Sequence, residues 1–229
     1  MENLSDIIWV ASTWILPALL AITLHEAGHA FAAWKFGDPT AKNQGRVTLN
    51  PLKHIDPMGT IILPAILLLL KAPFLFGYAK PVPVNFGRLN NPKRDMIWVA
   101  LAGPGMNFLL AYVCAIGIHG LVLFPELASN WLLANLANGL LLNVVLGVFN
   151  LLPIPPLDGG KVAVGILPNF LAIQLLKLEK YGFLFLIGVI FILPMISRAL
   201  GYELNLLRWV HDGPISFVIS LIAKTVGLH

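Results

Sequence analysis

The stretch Ile22-Thr-Leu-His25-Glu26-Ala-Gly-His29-Ala-Phe31 carries two histidines and a glutamate inside an apolar segment. Histidines four positions apart lie on one face of a helix, so the side chains of His25 and His29 can bind the same zinc ion. Glu26 lies beside the metal, where its carboxylate can take a proton from a zinc-bound water. Three ionisable residues in one turn are costly to bury in a membrane unless they have a function. The pattern therefore predicts a metal site, with zinc as the proposed metal and hydrolysis of a peptide bond as the proposed chemistry.

The composition indicates an integral membrane protein. Of the 229 residues, 58% are hydrophobic and only 11% are charged, whereas a soluble domain carries about 25% charged residues. The net charge of +4 comes mainly from short loops between apolar segments, which is typical of cytosolic loops. We exclude nucleic-acid binding, because the sequence has no basic run and no aromatic platform outside the apolar segments. The predicted fold is an all-α polytopic membrane protein, a single domain over residues 1–229 with about four to six membrane helices.

The first apolar segment predicts the orientation of the site. No charged residue occurs from Ile7 to Leu24, and the stretch up to Trp34 is long enough to span a bilayer as a helix. Acidic residues precede this segment and basic residues follow it, which favours an external N-terminus and a cytosolic Lys35. His25 lies about 15 Å before Lys35 along a helix axis. We therefore expect the site in the cytosolic half of a membrane, and we expect that membrane to be the prokaryotic cell membrane.

The loop after this helix is predicted to contain a short β-strand. Residues 45–49 (Gly-Arg-Val-Thr-Leu) are bounded by glycine and by Asn-Pro, which is typical of a strand between turns. We expect Arg46, Val47 and Thr48 to pair with an extended substrate by edge addition.

The next apolar segment, residues 58–76, is short and lies between two basic loops. One crossing of the membrane conflicts with that charge pattern. We expect a re-entrant segment or a tight hairpin that returns to the cytosolic side. The alternative is that the charge rule fails here.

The rest of the chain contains further membrane segments. Two long stretches without charged residues predict spanning helices, and they are followed by an interfacial helix, another spanning candidate, and a tail that is interfacial or a short span. These segments are residues 96–125, 127–157, 162–180, 181–197 and 204–228, in that order.

A catalytic zinc usually has three protein ligands and one open position. The candidates for the third ligand include His54, Asp56, Asp158 and His211. Asp158 is favoured, because prolines shortly before it impose a rigid, extended backbone and because it ends a long apolar stretch at a suitable depth. Two neutral histidines and one carboxylate leave a single positive charge with Zn²⁺. That charge lowers the pKa of a bound water to about 7.

Three motifs in the chain resemble those of the site-2 protease family of intramembrane zinc metalloproteases, in its compact branch without a PDZ domain. They are His25-Glu26-Ala-Gly-His29, Ala102-Gly103-Pro104-x-x-Asn107 and Asn150-x-x-Pro153-x-Pro155-x-Leu157-Asp158-Gly159. The loop Gly77-Tyr-Ala-Lys80-Pro81-Val-Pro83-Val-Asn85 is also similar to a loop of that branch. The resemblance implies that His25, His29 and Asp158 bind one Zn²⁺ and that Glu26 is the catalytic base.

The same resemblance implies that Asn107 and Asn150 position the substrate or stabilise the oxyanion. The expected function is the hydrolysis of peptide bonds within or near transmembrane segments of membrane proteins, which is regulated intramembrane proteolysis. The expected partners are a transmembrane protein substrate and the lipid bilayer, and self-association into a homo-oligomer is left open. The alternative is a divalent metal-ion transporter that uses the same ligands. It would need polar residues along a complete path, whereas the outer halves of the long helices are largely apolar.

Overall fold

A computed structural model describes residues 4–63, 66, 79–202 and 204–228 of the chain. Within these residues the regular structure is helical and no strand occurs, which confirms the all-α prediction. The α-helices are α1 (Leu4–Lys35), α2 (Thr40–Asn43), α3 (Pro92–His119), α4 (Glu126–Asn150), α5 (Asp158–Ile166), α6 (Asn169–Glu179), α7 (Gly182–Ile187), α8 (Leu193–Ala199), α9 (Leu206–Val210) and α10 (Ser216–Val226). Short 3-10 or π-helical turns are Pro51–Lys53, Pro57–Ile62, Phe86–Arg88, Gly120–Leu123, Gly188–Ile192 and His211–Ile215.

Among the described residues, four helical stretches are long and apolar enough to cross a membrane, which confirms the predicted membrane architecture. They are Ile8–Lys35, Pro92–Leu123, Glu126–Asn150 and Leu206–Val226. A fifth crossing results if α6 and the helical stretch Leu184–Ala199, which meet at 78°, are taken as one bent span.

The site lies among α1, α3, α4 and α5, in which α1, α3 and α4 pack against one another and α5 packs against α3. Small residues allow these backbones to approach closely, as is common between membrane helices. A Cβ atom added to Gly28 of α1 would lie 2.8 Å from the carbonyl oxygen of Ala102 in α3. A Cβ atom on Gly147 of α4 would lie 2.8 Å from the ring of Phe108 in α3. These contacts leave little freedom for the helices that carry the site.

The strand predicted over residues 45–49 is wrong. The Arg46 amide closes a turn on the carbonyl of Ala41 at 2.9 Å. Thr48 accepts hydrogen bonds from the Asn50 amide at its hydroxyl, at 3.1 Å, and from the His54 ring at its carbonyl, at 3.0 Å. Such local bonds satisfy the backbone in bends rather than in a ladder. The predicted pairing of Arg46, Val47 and Thr48 with a substrate therefore has no preformed strand.

Two further predictions concern the chain on either side of the helical core. The single interfacial helix predicted over residues 162–180 is wrong, because the chain breaks into α5 and α6 at Pro168, which cannot continue the preceding helix. The re-entrant segment predicted within residues 58–76 falls mostly outside the described residues. The chain is described again from residue 79, where a non-helical segment, residues 79–85, leads towards α3.

Candidate metal centre

Two histidines of α1 and the first residue of α5 meet inside the helical core. His25 and His29 lie one turn apart, and each is 8% exposed, while Asp158 is 5% exposed. Their Nε2 atoms are 3.0 Å apart. The Oδ2 atom of Asp158 lies 3.2 Å from Nε2 of His25 and 3.1 Å from Nε2 of His29. Among the described residues, this is the one cluster of three metal-binding side chains.

Hydrogen bonds on the far side of each ring determine which nitrogen carries the proton. Nδ1 of His29 lies 2.7 Å from the carbonyl oxygen of Val99, which can only accept, so this Nδ1 donates. Nδ1 of His25 lies 2.6 Å from Oδ1 of Asn107. The amide nitrogen of Asn107 donates to Asn143 and to a backbone carbonyl, so its oxygen faces His25. In the neutral rings, both Nε2 atoms therefore present lone pairs to Asp158.

This donor set fits a zinc ion. Three acceptor atoms that converge within 3.2 Å repel one another unless a cation lies between them. The ligand atoms of a tetrahedral zinc with bonds of about 2.0 to 2.1 Å lie about 3.3 Å apart, close to these separations. An Nδ1–H group bonded to a fixed oxygen is also the usual outer contact of a zinc-binding histidine. His25, His29 and Asp158 would therefore hold the metal.

A cavity of about 630 Å³ adjoins the cluster, and Glu26 lines it. Oε2 of Glu26 accepts a hydrogen bond of 2.7 Å from the backbone amide of Val82, which lines the same cavity. This bond holds one carboxylate oxygen in place. Lys161 lines the same cavity, and its Nζ atom lies 3.3 Å from Oδ1 of Asp158 and so restrains the oxygen that does not face the histidines.

The segment that carries Val82 is attached to the protein on both sides of that residue. The Lys80 amide donates to the carbonyl of His54 at 2.9 Å, and the Asn85 amide donates to Asp38 at 2.6 Å. Burial raises the pKa of Asp38, but hydrogen bonds from Thr40 and Asn85 outweigh this effect, so the pKa lies below its ordinary value. Asp38 is therefore charged at neutral pH and holds the end of the segment next to the cavity.

The two asparagines that the resemblance grouped together have different environments. Asn107 is completely buried behind His25, and its amide nitrogen already donates to Ala21 at 3.2 Å and to Asn143 at 2.8 Å. Both of its amide hydrogens are used, so none is left for an oxyanion. Asn150 lines the cavity and donates one hydrogen to the carbonyl of Leu146 at 3.0 Å. Its second amide hydrogen can serve a substrate.

The other candidate ligands have local partners and do not join the cluster. Nε2 of His54 lies 3.0 Å from the carbonyl oxygen of Thr48. Asp56 accepts a hydrogen bond of 2.8 Å from the amide of Gly59. His211 pairs with its neighbour Asp212 at an exposed position.

Reasoning from the sequence missed three groups of the site, namely Val82, Asn143 and Lys161. The resemblance indicated the loop that contains Val82, but a backbone amide has no sequence signature of its own, so its bond to Glu26 could not be predicted. Asn143 is a polar residue inside an apolar helix, and that alone marks it as a residue with a partner. Lys161 lies three positions after Asp158, on the same face of α5, which is a signal that helix periodicity provides.

Comparison with known proteins adds an independent finding. The model of peptidase family M50 matches residues 121–195, which include Asp158. The chain is 40% identical over 199 residues to "Putative zinc metalloprotease YwhC" of Bacillus subtilis, covering 83% of this chain and 85% of the relative. It is 34% identical over 205 residues to "Putative zinc metalloprotease Rip2" of Mycolicibacterium smegmatis, and the match covers 88% of this chain and 74% of the relative. "Zinc metalloprotease MJ0392" of Methanocaldococcus jannaschii is 26% identical over 187 residues, and the match covers 79% of this chain and 38% of the relative. No solved structure matches the chain significantly.

Proposed function

Because this chain belongs to peptidase family M50, the site-2 protease family of zinc metalloproteases, we propose that it cleaves membrane proteins within or near their transmembrane segments. This reaction is regulated intramembrane proteolysis. The observation that carries the proposal is the convergence of His25, His29 and Asp158 between membrane-spanning helices, on a cavity that Glu26 also lines. A site buried at that position suits a peptide bond that is itself in or near the bilayer.

The ligands are His25, His29 and Asp158. The chemistry that Zn²⁺ supplies when bound is the acidification of water and the polarisation of a carbonyl group. Glu26 takes a proton from the attacking water and passes it to the leaving amine. The Val82 amide keeps Oε2 of Glu26 in place during both proton transfers.

The substrate is recognised at the cavity that adjoins the ligands. Asn150 donates its second amide hydrogen to the oxygen of the scissile carbonyl, where negative charge develops. Asn107 does not contact the substrate in this proposal, because its amide hydrogens are used inside the protein. The substrate chain must unwind locally, since an amide inside a helix is shielded by its own hydrogen bond.

The orientation of the site is part of the same proposal. Lys35 ends α1 and the basic residues Lys42 and Arg46 follow it, whereas acidic residues precede the apolar part of the helix. The charge rule then favours a site that opens towards the cytosol of a prokaryotic cell, because short basic loops stay on that side. The partners are a membrane-spanning protein substrate and the lipid bilayer around the apolar helices of the described residues.

The test compares membranes of cells that express the wild type or the Glu26→Gln variant. New protein termini are identified by mass spectrometry, and the zinc content of both purified proteins is measured. We expect equal zinc content, because Glu26 is not a ligand in this proposal. We also expect cleavage to fall by about 10²- to 10⁴-fold, the usual contribution of a general base.

The positions of the new termini decide the substrate class. Termini that depend on Glu26 should lie within or near transmembrane segments of other proteins. Termini confined to soluble domains would contradict the proposal, and so would unchanged cleavage by the variant. Metal uptake by proteoliposomes without any cleavage would instead support the metal-ion transporter.

A further inference from the structure

Asn143 is a completely buried amide in the C-terminal half of α4, a helix long and apolar enough to span the membrane. A polar group at such a position is costly unless it is hydrogen-bonded. Its Oδ1 atom accepts a hydrogen bond of 2.8 Å from Nδ2 of Asn107. Its Nδ2 atom donates a hydrogen bond of 2.8 Å to the carbonyl of Gly139. Both ends of the side chain are therefore satisfied inside the protein.

These bonds continue to the metal centre through three helices. Asn143 of α4 contacts Asn107 of α3, and Oδ1 of Asn107 lies 2.6 Å from Nδ1 of His25 in α1. The backbone carbonyls of Gly139 and Ala21 can only accept, so they determine the direction of each bond in the chain. Oδ1 of Asn107 therefore faces His25 as an acceptor, and Nδ1 of His25 must donate to it.

A reversed Asn107 amide would block the site. It would direct Nδ2 of Asn107 towards His25, so the ring would have to accept at Nδ1 and carry its proton on Nε2. That nitrogen could then no longer bind a metal. Reversal is opposed by two acceptors, because the oxygen of Asn107 would then face the carbonyl of Ala21 at 3.2 Å and Oδ1 of Asn143 at 2.8 Å. Asn143 provides the shorter of these two contacts and the one that a side-chain substitution can remove.

We propose that Asn143 is a positioning residue of the metal centre. It holds the Asn107 amide in the orientation that leaves Nε2 of His25 free for the metal. This inference rests on the proposed ligand set of His25, His29 and Asp158. It adds a residue outside the motifs and assigns to Asn107 the orientation of a ligand rather than contact with the substrate.

The test measures zinc affinity by competition with a chelator, independently of peptide cleavage. Asn143→Leu keeps the approximate volume of the side chain and removes both hydrogen bonds. We expect zinc affinity to fall by about 10- to 100-fold, as is usual when an outer hydrogen-bond partner of a ligand is lost. The matched control is Asn138→Leu in the same helix. Asn138 donates to the carbonyl of Thr13 in α1 at 2.9 Å and has no bond to Asn107.

The control separates positioning from packing. Asn138→Leu should keep zinc affinity within about threefold of the wild type, since sites without shared partners act independently. Equal losses of affinity in Asn138→Leu and Asn143→Leu would show an effect of helix packing and would overturn the proposal. Unchanged affinity in Asn143→Leu would also overturn it.

A second variant of Asn143 decides the matter if Asn143→Leu does not fold. Asn143→Asp keeps the acceptor that faces Asn107, and its protonated form also keeps a donor towards the carbonyl of Gly139. We expect it to retain zinc affinity within about tenfold of the wild type. Loss of zinc binding by a folded Asn143→Asp variant would count against the proposal.

Failure of this inference differs from failure of the proposed function. If the ligand set is wrong, Asp158→Asn will bind zinc as tightly as the wild type. If only the positioning role is wrong, Asp158→Asn will lose zinc while Asn143→Leu retains it.

Discussion

Gly103→Ala should destroy the metal centre, whereas Gly105→Ala, two residues later in α3, should leave it intact. A Cβ atom on Gly103 would lie 2.3 Å from Nε2 of His29 and 2.7 Å from Cε1 of His25. Non-bonded heavy atoms rest at about 3.5 to 4.0 Å, so the rings would have to retreat by about 1 Å. Zinc ligands tolerate displacements of about 0.2 Å. The displacement of the rings that the added methyl group requires is therefore several times larger than the displacement that zinc ligands tolerate.

Moving the helices apart would relieve this clash only by breaking the close packing of α1 on α3. Next to Gly103, the carbonyl of Ala102 already lies so near Gly28 that a Cβ atom there would be 2.8 Å away. The rings are also held from behind by Val99 and Asn107. Gly105 differs because no heavy atom lies within 4 Å of the Cβ position. Alanine there should be neutral, or should stabilise the helix by up to about 1 kcal/mol.

The assay is the zinc content of each purified variant, with helical content by circular dichroism as the check of folding. We expect Gly105→Ala to bind about one zinc per chain, like the wild type, and Gly103→Ala to bind less than about a tenth of that. Cleavage activity should follow the zinc content. A folded Gly103→Ala variant with full zinc content would refute the placement of the two rings. Equal loss of zinc in both variants would also refute it, because the methyl group at Gly105 meets no atom.

Two further predictions concern the catalytic base and the third ligand. Val82→Pro removes the backbone amide that donates a hydrogen bond to Glu26. A hydrogen bond to a charged group contributes about 1.5 to 3 kcal/mol, so kcat should fall by about 10- to 150-fold. The zinc content and KM should stay unchanged. Val84→Pro is the control, because Val84 also follows a proline and its backbone amide has no partner among the described residues. An equal fall of kcat in both variants would reject the orienting role of the Val82 amide. Asp158→Asn removes the carboxylate ligand, and zinc affinity measured by chelator competition should fall by more than about 100-fold. That value is the upper range for the loss of a residue that only supports a ligand from behind. A smaller fall would place the third ligand elsewhere.

The prediction of the strand failed for a reason that applies to loops in general. Residues 45–49 have the composition of a strand, but a strand needs a neighbour to complete its backbone hydrogen bonds. The described part of the chain provides no such neighbour there, and the hydroxyl of Thr48 and the ring of His54 form local bonds instead. Composition alone cannot show whether a partner will be present.

The division of the region 162–180 is a similar case. Its apolar and basic residues suit one interfacial helix, but Pro168 breaks the chain into α5 and α6. Proline has a known local effect, so this error was avoidable from the sequence. The roles of the two asparagines could not be distinguished from the sequence, because both lie in similar apolar helices. Only the contacts of Asn107 and Asn150 show that one is enclosed behind His25 and the other faces the cavity.

The helical membrane fold and the pair His25 and His29 were determined by local sequence. Hydrophobic length and a spacing of four residues act within one helix, so both can be derived without the rest of the chain. The arrangement around that pair depended on tertiary structure. Asp158 meets the pair because α5 packs against α3, and Asn143 reaches His25 through Asn107 across two helix contacts. Such contacts join residues that are far apart in the chain, and their geometry exists only after the helices have packed.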